Sequence, residues 1–340
     1  MCSRFIQPAA SLALAVGWLP LSTPRQSNPV TAVTHSTSLL AGMKSFDGAE
    51  PAALIHGRGR ALPIGGPQSD TSSGQTSSSP PASVQNASGK PPPLNGIAHL
   101  AIRVHDLATS TMFYEKLGFV RAFELSRDGA VYEAFVKIND KQFIELYSAS
   151  EKEPQVGFLH VCFEGADLHA IHDDYVSQDL SPISVRKAGA GNLLFTVLGP
   201  AQPAFAQNLE YTQYMPGSLH ADDLGKHLGQ YRVADRIESV SLAMIDTAAA
   251  RRFYEDKLHF LPLAQGTLLG LPGTSNQTVA IVPDELGLKA SFTLWTGDLH
   301  RASQRIKGEG IAMQQEAHRI SIADPDGNLI VISNQPIAGR

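Results

Sequence analysis

Four short apolar stretches each carry one histidine or glutamate. They are Gly96-Ile-Ala-His-Leu-Ala-Ile-Arg-Val-His-Asp106 with His99, Phe143-Ile-Glu-Leu-Tyr147 with Glu145, Gly157-Phe-Leu-His-Val-Cys162 with His160, and Gln207-Asn-Leu-Glu-Tyr-Thr-Gln213 with Glu210. Each reads as a strand. An ionisable side chain inside an apolar strand needs a partner, because burying it unpaired is costly. Two imidazoles and two carboxylates brought together from four strands satisfy one another around one divalent metal, with Zn, Ni, Fe, Mn and Co all suited to the set. Such a site is formally neutral and, if octahedral, keeps two positions open where substrate oxygens bind and are polarised.

Alternation of side chains along a strand extends the list of candidates. Ala101 and Arg103 share a face with His99, and Phe143 and Tyr147 share one with Glu145. Arg103 is placed to anchor a substrate carboxylate, and Tyr147 to line the same cleft. With all four residues on the metal, the favoured chemistry is proton abstraction beside a carbonyl, Glu145 or Glu210 acting as base. With Glu145 off the metal, His99, His160 and Glu210 form a facial triad with three open positions, which with Fe(II) suits dioxygen and a chelating diol. Cys162 reads as a small apolar core residue. His169, His172 and Asp173 read as a solvated helix face, and His105 as a loop residue.

The elements that must position these residues follow from local signals. Asp106 stands at a helix N-cap ahead of Leu107–Leu117, with Leu107, Met112, Phe113 and Leu117 near one face and Gly118 as the stop. Strands are expected over 119–125, 130–138 and 142–148, the last two joined at Asn139-Asp140. A second unit follows directly. It has a strand over 158–163, a helix opened by Ala166-Asp167-Leu168 and running to about Gln178, and strands over 183–188, 193–197 and 208–214. Each unit is βαβββ.

The pattern then restarts. Arg236-Ile-Glu-Ser-Val-Ser-Leu-Ala-Met-Ile-Asp246 parallels the opening stretch, Arg252-Phe-Tyr-Glu255 parallels Met112-Phe-Tyr-Glu115, and Gly297-Asp-Leu-His300 parallels Ala166-Asp-Leu-His169. A repeat of this length means two tandem domains. The positions matching the four candidate ligands are Ser239, approximately Ile281, Ser291 and Val331, none a useful ligand.

The chain of 340 residues is 43% hydrophobic and 17% charged, as a globular protein is, and its net charge of −5 offers no electrostatic case for nucleic acid. No apolar run approaches the roughly 20 residues that span a bilayer. Residues 1–25 read as a signal peptide, with the apolar run Ala9–Leu21 as its core, which places the protein in an exported compartment, the cytoplasm otherwise. Residues 26–94, rich in Ser, Gly and Pro, read as a disordered tether. Residues 95–215 form the first domain, 216–235 a polar connector packed over a domain face, and 236–336 the second domain. Expected partners are a small-molecule substrate and, for a tandem chain, a homodimer.

Three features together resemble the vicinal oxygen chelate superfamily of glyoxalases, bleomycin-resistance proteins and extradiol dioxygenases. They are the strand-borne His99 followed by Asp106, the segment Phe113-Tyr-Glu-Lys-Leu-Gly-Phe119, and the closing Asp324-Pro-Asp-Gly-Asn328. The resemblance covers about residues 94–336. It implies an α+β fold of tandem paired βαβββ units. It also implies ligands at His99, Glu145, His160 and Glu210, a set similar to that of glyoxalase I. The turn before Glu210 departs from the family's Asp-Pro-Asp-Gly. The implied activity is that of a lyase or isomerase performing glyoxalase- or epimerase-like proton transfer. The alternatives are an Fe(II) ring-cleaving dioxygenase and a metal-free small-molecule-binding protein. No histidine lies between Val185 and Glu210, where the extradiol enzymes carry one beside the metal.

Overall fold

The computed structural model describes residues 90–202, 206–263, 266–273 and 276–337. The signal peptide expected over 1–25 and nearly all of the tether expected over 26–94 lie outside the described residues. In chain order the first half comprises β1 (Leu94–Val104), α1 (Leu107–Lys116), β2 (Val120–Arg127), β3 (Ala130–Asn139), β4 (Gln142–Ser148), β5 (Gly157–Gly165), α2 (Leu168–Ser177), β6 (Arg186–Lys187), β7 (Leu193–Ala201) and β8 (Ala206–Gln213). After α3 (Leu219–Asp222) the second half comprises β9 (Arg236–Met244), α4 (Thr247–Asp256), β10 (Leu261–Pro262), β11 (Leu268–Gly270), β12 (Thr278–Pro283), β13 (Ser291–Trp295), α5 (Leu299–Gly308), β14 (Met313–Gln315), β15 (Arg319–Ala323) and β16 (Leu329–Ser333).

Each half folds into one eight-stranded sheet, ordered β2-β3-β4-β1-β5-β8-β7-β6 and β10-β11-β12-β9-β13-β16-β15-β14. Two βαβββ units meet in each sheet along their antiparallel first strands, β1 with β5 and β9 with β13. Each first strand also pairs in parallel with the last strand of its own unit, so the candidate ligand strands β4, β1, β5 and β8 are the central four. The fold is the mixed α+β arrangement of tandem βαβββ pairs.

Helix ends follow the sequence closely. Asp106, Asp167, Asp246 and Asp298 each cap a helix by accepting a hydrogen bond from the backbone three residues on. Two local expectations are corrected. Helix α1 buries Ser110, Thr111 and Tyr114, while Met112 is 52% exposed. Leu117 is fully buried as expected, and Leu107 and Phe113 pack partly buried against the core, so the inward face runs through Leu107, Ser110, Thr111 and Tyr114 and leaves out only Met112. The strand expected over 183–188 shrinks to Arg186–Lys187. It is the outermost strand of its sheet, and ahead of it a single backbone bond from Ile183 N to Thr196 O at 2.9 Å keeps the segment beside β7.

The two halves lock together by reciprocal bonds. Gln142 Oε1 accepts from Ile237 N at 2.9 Å and its Nε2 donates to Ile97 O at 2.9 Å. Gln277 Oε1 accepts from Ile97 N at 2.8 Å and its Nε2 donates to Ile237 O at 2.5 Å. Tyr114 donates to Asp324 of the second half at 3.2 Å, and Tyr254, its repeat partner, donates to Gln207 of the first half at 2.7 Å. Asp324 also accepts from the Asp326 and Asn328 backbone, so the Asp-Pro-Asp-Gly turn is shaped to receive the tyrosine. Among the described residues, no helix is long and apolar enough to cross a membrane.

The connector packs against the first half with polar and apolar residues alike. Ser218, His220, Asp223, Val233 and Ala234 are buried. The fully buried ammonium of Lys137 on β3 ties it down, donating to Asp223 Oδ2 at 2.7 Å, Asp223 O at 2.6 Å and Lys226 O at 2.7 Å.

Candidate metal centre

Sheet register explains how residues so far apart in the chain meet. One row across the central strands runs Phe143, His99, Cys162, Glu210. The adjacent row runs Glu145, Ala101, His160, Asn208. Register neighbours share a face, so His99, His160, Glu145 and Glu210 all stand on one side of the sheet.

Three of the four converge. His99 Nε2 lies 3.2 Å from His160 Nε2 and 3.3 Å from Glu210 Oε1, and His160 Nε2 lies 3.8 Å from Glu210 Oε2. Their ligand atoms all fall within 4.8 Å of one another. Two atoms each about 2.1 Å from one ion stand roughly 3.0–3.4 Å apart over octahedral to tetrahedral angles. The donor set fits a divalent cation in both chemistry and spacing.

Glu145 sits elsewhere. Its Oε1 lies 3.1 Å from Nδ1 of His99, the ring nitrogen pointing away from His160, at an angle too oblique for a good hydrogen bond. Tyr147 donates to its Oε2 at 3.3 Å, and Glu133 on β3 adjoins it. Burial, then the charges of Glu133 and Glu210, push the Glu145 carboxyl well above its usual range. Burial would raise Glu210 as well, but His160 and His99 outweigh it and bring this carboxyl down to about 2. Burial lowers His160 to about 4. At neutral pH the site therefore presents a neutral His160 imidazole and an ionised Glu210, the forms a metal takes.

The other sequence candidates fall differently. Arg103 is bound to Glu153 at 2.6 Å, so its guanidinium is engaged outside the metal triad. Tyr147 is turned onto Glu145, its hydroxyl held protonated by burial and by Glu133. Cys162 is a fully buried core residue. It stands beside Glu210 in the sheet, its thiol lies 3.9 Å from the carbonyl oxygen of Phe163, and burial, then the charge of Glu210, raises the thiol's pKa well above the ordinary value. His105 pairs with Asp326 of the second half at 2.6 Å, and His172 with its neighbour Asp173 at 3.2 Å.

Two buried residues near the centre escaped the sequence reading, Glu133 and His220. Glu133 alternates with Phe135 and Lys137, a pattern that places it on the same face. His220 lies in the connector, where no periodicity marks it.

In the second half the corresponding row is Thr278, Ser239, Thr293, Val331, and Ser291 occupies the place of His160. Register assigns Ala280, not Ile281, to the place of Glu145, because Ala280 pairs with Ser241 as Glu145 pairs with Ala101. A one-residue shift reverses the face of a strand.

Residues 96–202 match the family model described as the Glyoxalase/Bleomycin resistance protein/Dioxygenase superfamily. The chain carries a domain of this superfamily. Solved structures extend the likeness over both halves. The Mn(II)-bound glyoxalase of Novosphingobium aromaticivorans superposes with a TM-score of 0.56 at 14% identity, covering 71% of this chain and 82% of that one. A 2,3-dioxygenase from a Pseudomonas species gives 0.53 at 13%, covering 73% and 95%. Homoprotocatechuate 2,3-dioxygenase of Arthrobacter globiformis gives 0.53 at 17%, covering 73% and 82%. At such identities the likeness is one of fold. No curated protein matches the chain in sequence. Glu210 lies just beyond the matched superfamily segment, so its place rests on sheet register.

Proposed function

We propose that this protein is a metal-dependent enzyme of the vicinal oxygen chelate type, holding one divalent ion on His99, His160 and Glu210 and binding a small substrate through two adjacent oxygens. The observation that carries this reading is the convergence of two imidazole nitrogens and one carboxylate from three strands of one sheet. A bound divalent ion supplies Lewis-acid polarisation of substrate oxygens and, where it is iron, a route to dioxygen. The chain's residues set the conditions for that chemistry. His99 and His160 keep Glu210 ionised, burial keeps His160 neutral, and Glu145 with Tyr147 packs behind His99.

Oxidative cleavage of a vicinal diol is the better supported reaction. The placement of Glu145 at the far nitrogen of His99 favours three protein ligands over four and leaves room for two kinds of oxygen donor. Glyoxalase-like proton transfer is the second reading. The raised pKa of Glu145 favours it, since a carboxylate with high proton affinity is the better base. Dioxygen uptake by the Fe(II)-loaded chain, measured with an oxygen electrode across a panel of vicinal diols, tests the first. Turnover of α-ketoaldehyde–thiol adducts without oxygen uptake would overturn it in favour of the second.

A further inference from the structure

The imidazole of His220 is 3% exposed, and neither of its nitrogens has a hydrogen-bond partner among the described residues. A buried polar atom left unpaired destabilises the fold, so two on one ring call for an explanation. Aromatic side chains surround it. Phe123 and Phe143 meet it edge to face at 5.0 Å between centroids, Phe135 does so at 5.3 Å, and Tyr214 stacks on it at 4.6 Å. A ring enclosed this way needs only to be aromatic. Phenylalanine would serve without the polar cost.

The place of this ring gives its nitrogens a use. Phe143 is the strand neighbour of His99, and Phe135 pairs with Glu145. The wall that holds His220 is therefore the continuation of the metal-triad face onto β4 and β3. Lys137, on the same face of β3, clamps the connector there through Asp223 and Lys226. His220 is near enough to the triad to be influenced by the charges of His99 and Glu210. Burial holds it at about 3, a neutral imidazole with one donor and one acceptor at working pH.

We propose that His220, delivered by the connector between the halves, is a substrate-binding residue that hydrogen-bonds an uncharged hydroxyl or carbonyl group of a flat ring-bearing molecule held between the triad and the phenylalanine wall. This rests on the metal-centre reading for the far end of the molecule. A neutral imidazole selects an uncharged oxygen group over a carboxylate or phosphate, and the aromatic wall selects a ring.

The test uses the full chain, its His220→Phe and His220→Gln variants, and 4-nitrocatechol as the probe, which offers adjacent oxygens on a flat ring. Calorimetry follows probe binding with and without prior loading with Co(II), and elemental analysis gives the Co(II) stoichiometry. The expected result is equal Co(II) uptake by all three, probe binding at least tenfold weaker in His220→Phe, and partial recovery in His220→Gln. His220→Phe should melt at or above the wild-type temperature, because it removes two unpaired polar atoms and keeps the packing. If it does not fold, the His220→Gln comparison carries the test. Unchanged affinity in both variants, or no probe binding by the wild type with or without Co(II), overturns the proposal. Wild-type protein that takes up no Co(II) but binds the probe in a His220-dependent way sinks the metal reading and sustains this one.

Discussion

Gln142 and Gln277 hold the two halves together by exchanging the same pair of backbone bonds across an approximate two-fold relation. Each serves the peptide groups of Ile97 and Ile237, which are themselves repeat partners on the two first strands. The arrangement fixes the first strand of the metal-site half directly against the half that lacks ligands. Replacing Gln142 with Ala leaves the Ile237 N–H and the Ile97 carbonyl with lost partners in a buried interface. At roughly 1–3 kcal/mol for each such group, the expected loss is about 2 kcal/mol or more, read as a lower urea midpoint with the slope unchanged.

The ligand set is tested by comparing variants for metal content. Wild type should carry stoichiometric metal by elemental analysis, and His160→Ala and Glu210→Ala should each lose it, because each removes one of three converging candidate ligands. Glu145→Gln should retain it, since this carboxyl faces the other nitrogen of His99. Loss of metal in Glu145→Gln would establish four protein ligands and favour the proton-transfer reading.

Acid should weaken the metal-stripped fold over a defined window. His160 at about 4 and His220 at about 3 both lie below the ordinary imidazole value of 6.5. The unfolded chain therefore takes up protons first as pH falls below 6.5. The contribution of these two histidines is complete above that value and is lost as pH falls through 4 and toward 3, opposed by Glu145, whose raised carboxyl takes up its proton in the fold before the unfolded chain does. Each group contributes a slope of at most about 1.4 kcal/mol per pH unit. Glu210, ionised in the fold down to about 2, continues the decline below its ordinary value of 4.5. His220→Phe should make the decline between pH 6 and 4 shallower by up to about 1.4 kcal/mol per pH unit, as measured by urea titration at stepped pH. An unchanged slope would remove His220 from the titrating set.

Gly157 begins the strand that carries His160. Its φ is +125°, and a Cβ there would stand 2.0 Å from the carbonyl oxygen of Leu288, the group to which Phe158 N donates at 2.7 Å. Backbone on both sides leaves nothing to yield. Gly157→Ala should cost at least about 2 kcal/mol in strain and lost contact between the halves, and reduce metal occupancy with it. Thermal melting and elemental analysis of the same sample would reveal both effects.

Local chemistry made much of this legible from the sequence. Period-2 alternation marked the strands bearing His99, Glu145, His160 and Glu210, aspartates marked helix starts, and the spacing of Phe113-Tyr114 against Phe253-Tyr254 marked the repeat. These signals sit within a few residues of what they determine. The tertiary structure decided which atoms meet. Glu145 turned to the outer nitrogen of His99, Arg103 was taken by Glu153, Cys162 came to stand beside Glu210, and Gln142 found Ile237. Those outcomes depend on strand register and on the closure of one half against the other, which span tens to hundreds of residues, and a slip of one position would turn a side chain to the opposite face. His220 is the extreme case. Nothing near it in the chain distinguishes it, and only the folding of the connector onto the aromatic wall of β2, β3 and β4 gives it a place beside the candidate metal centre.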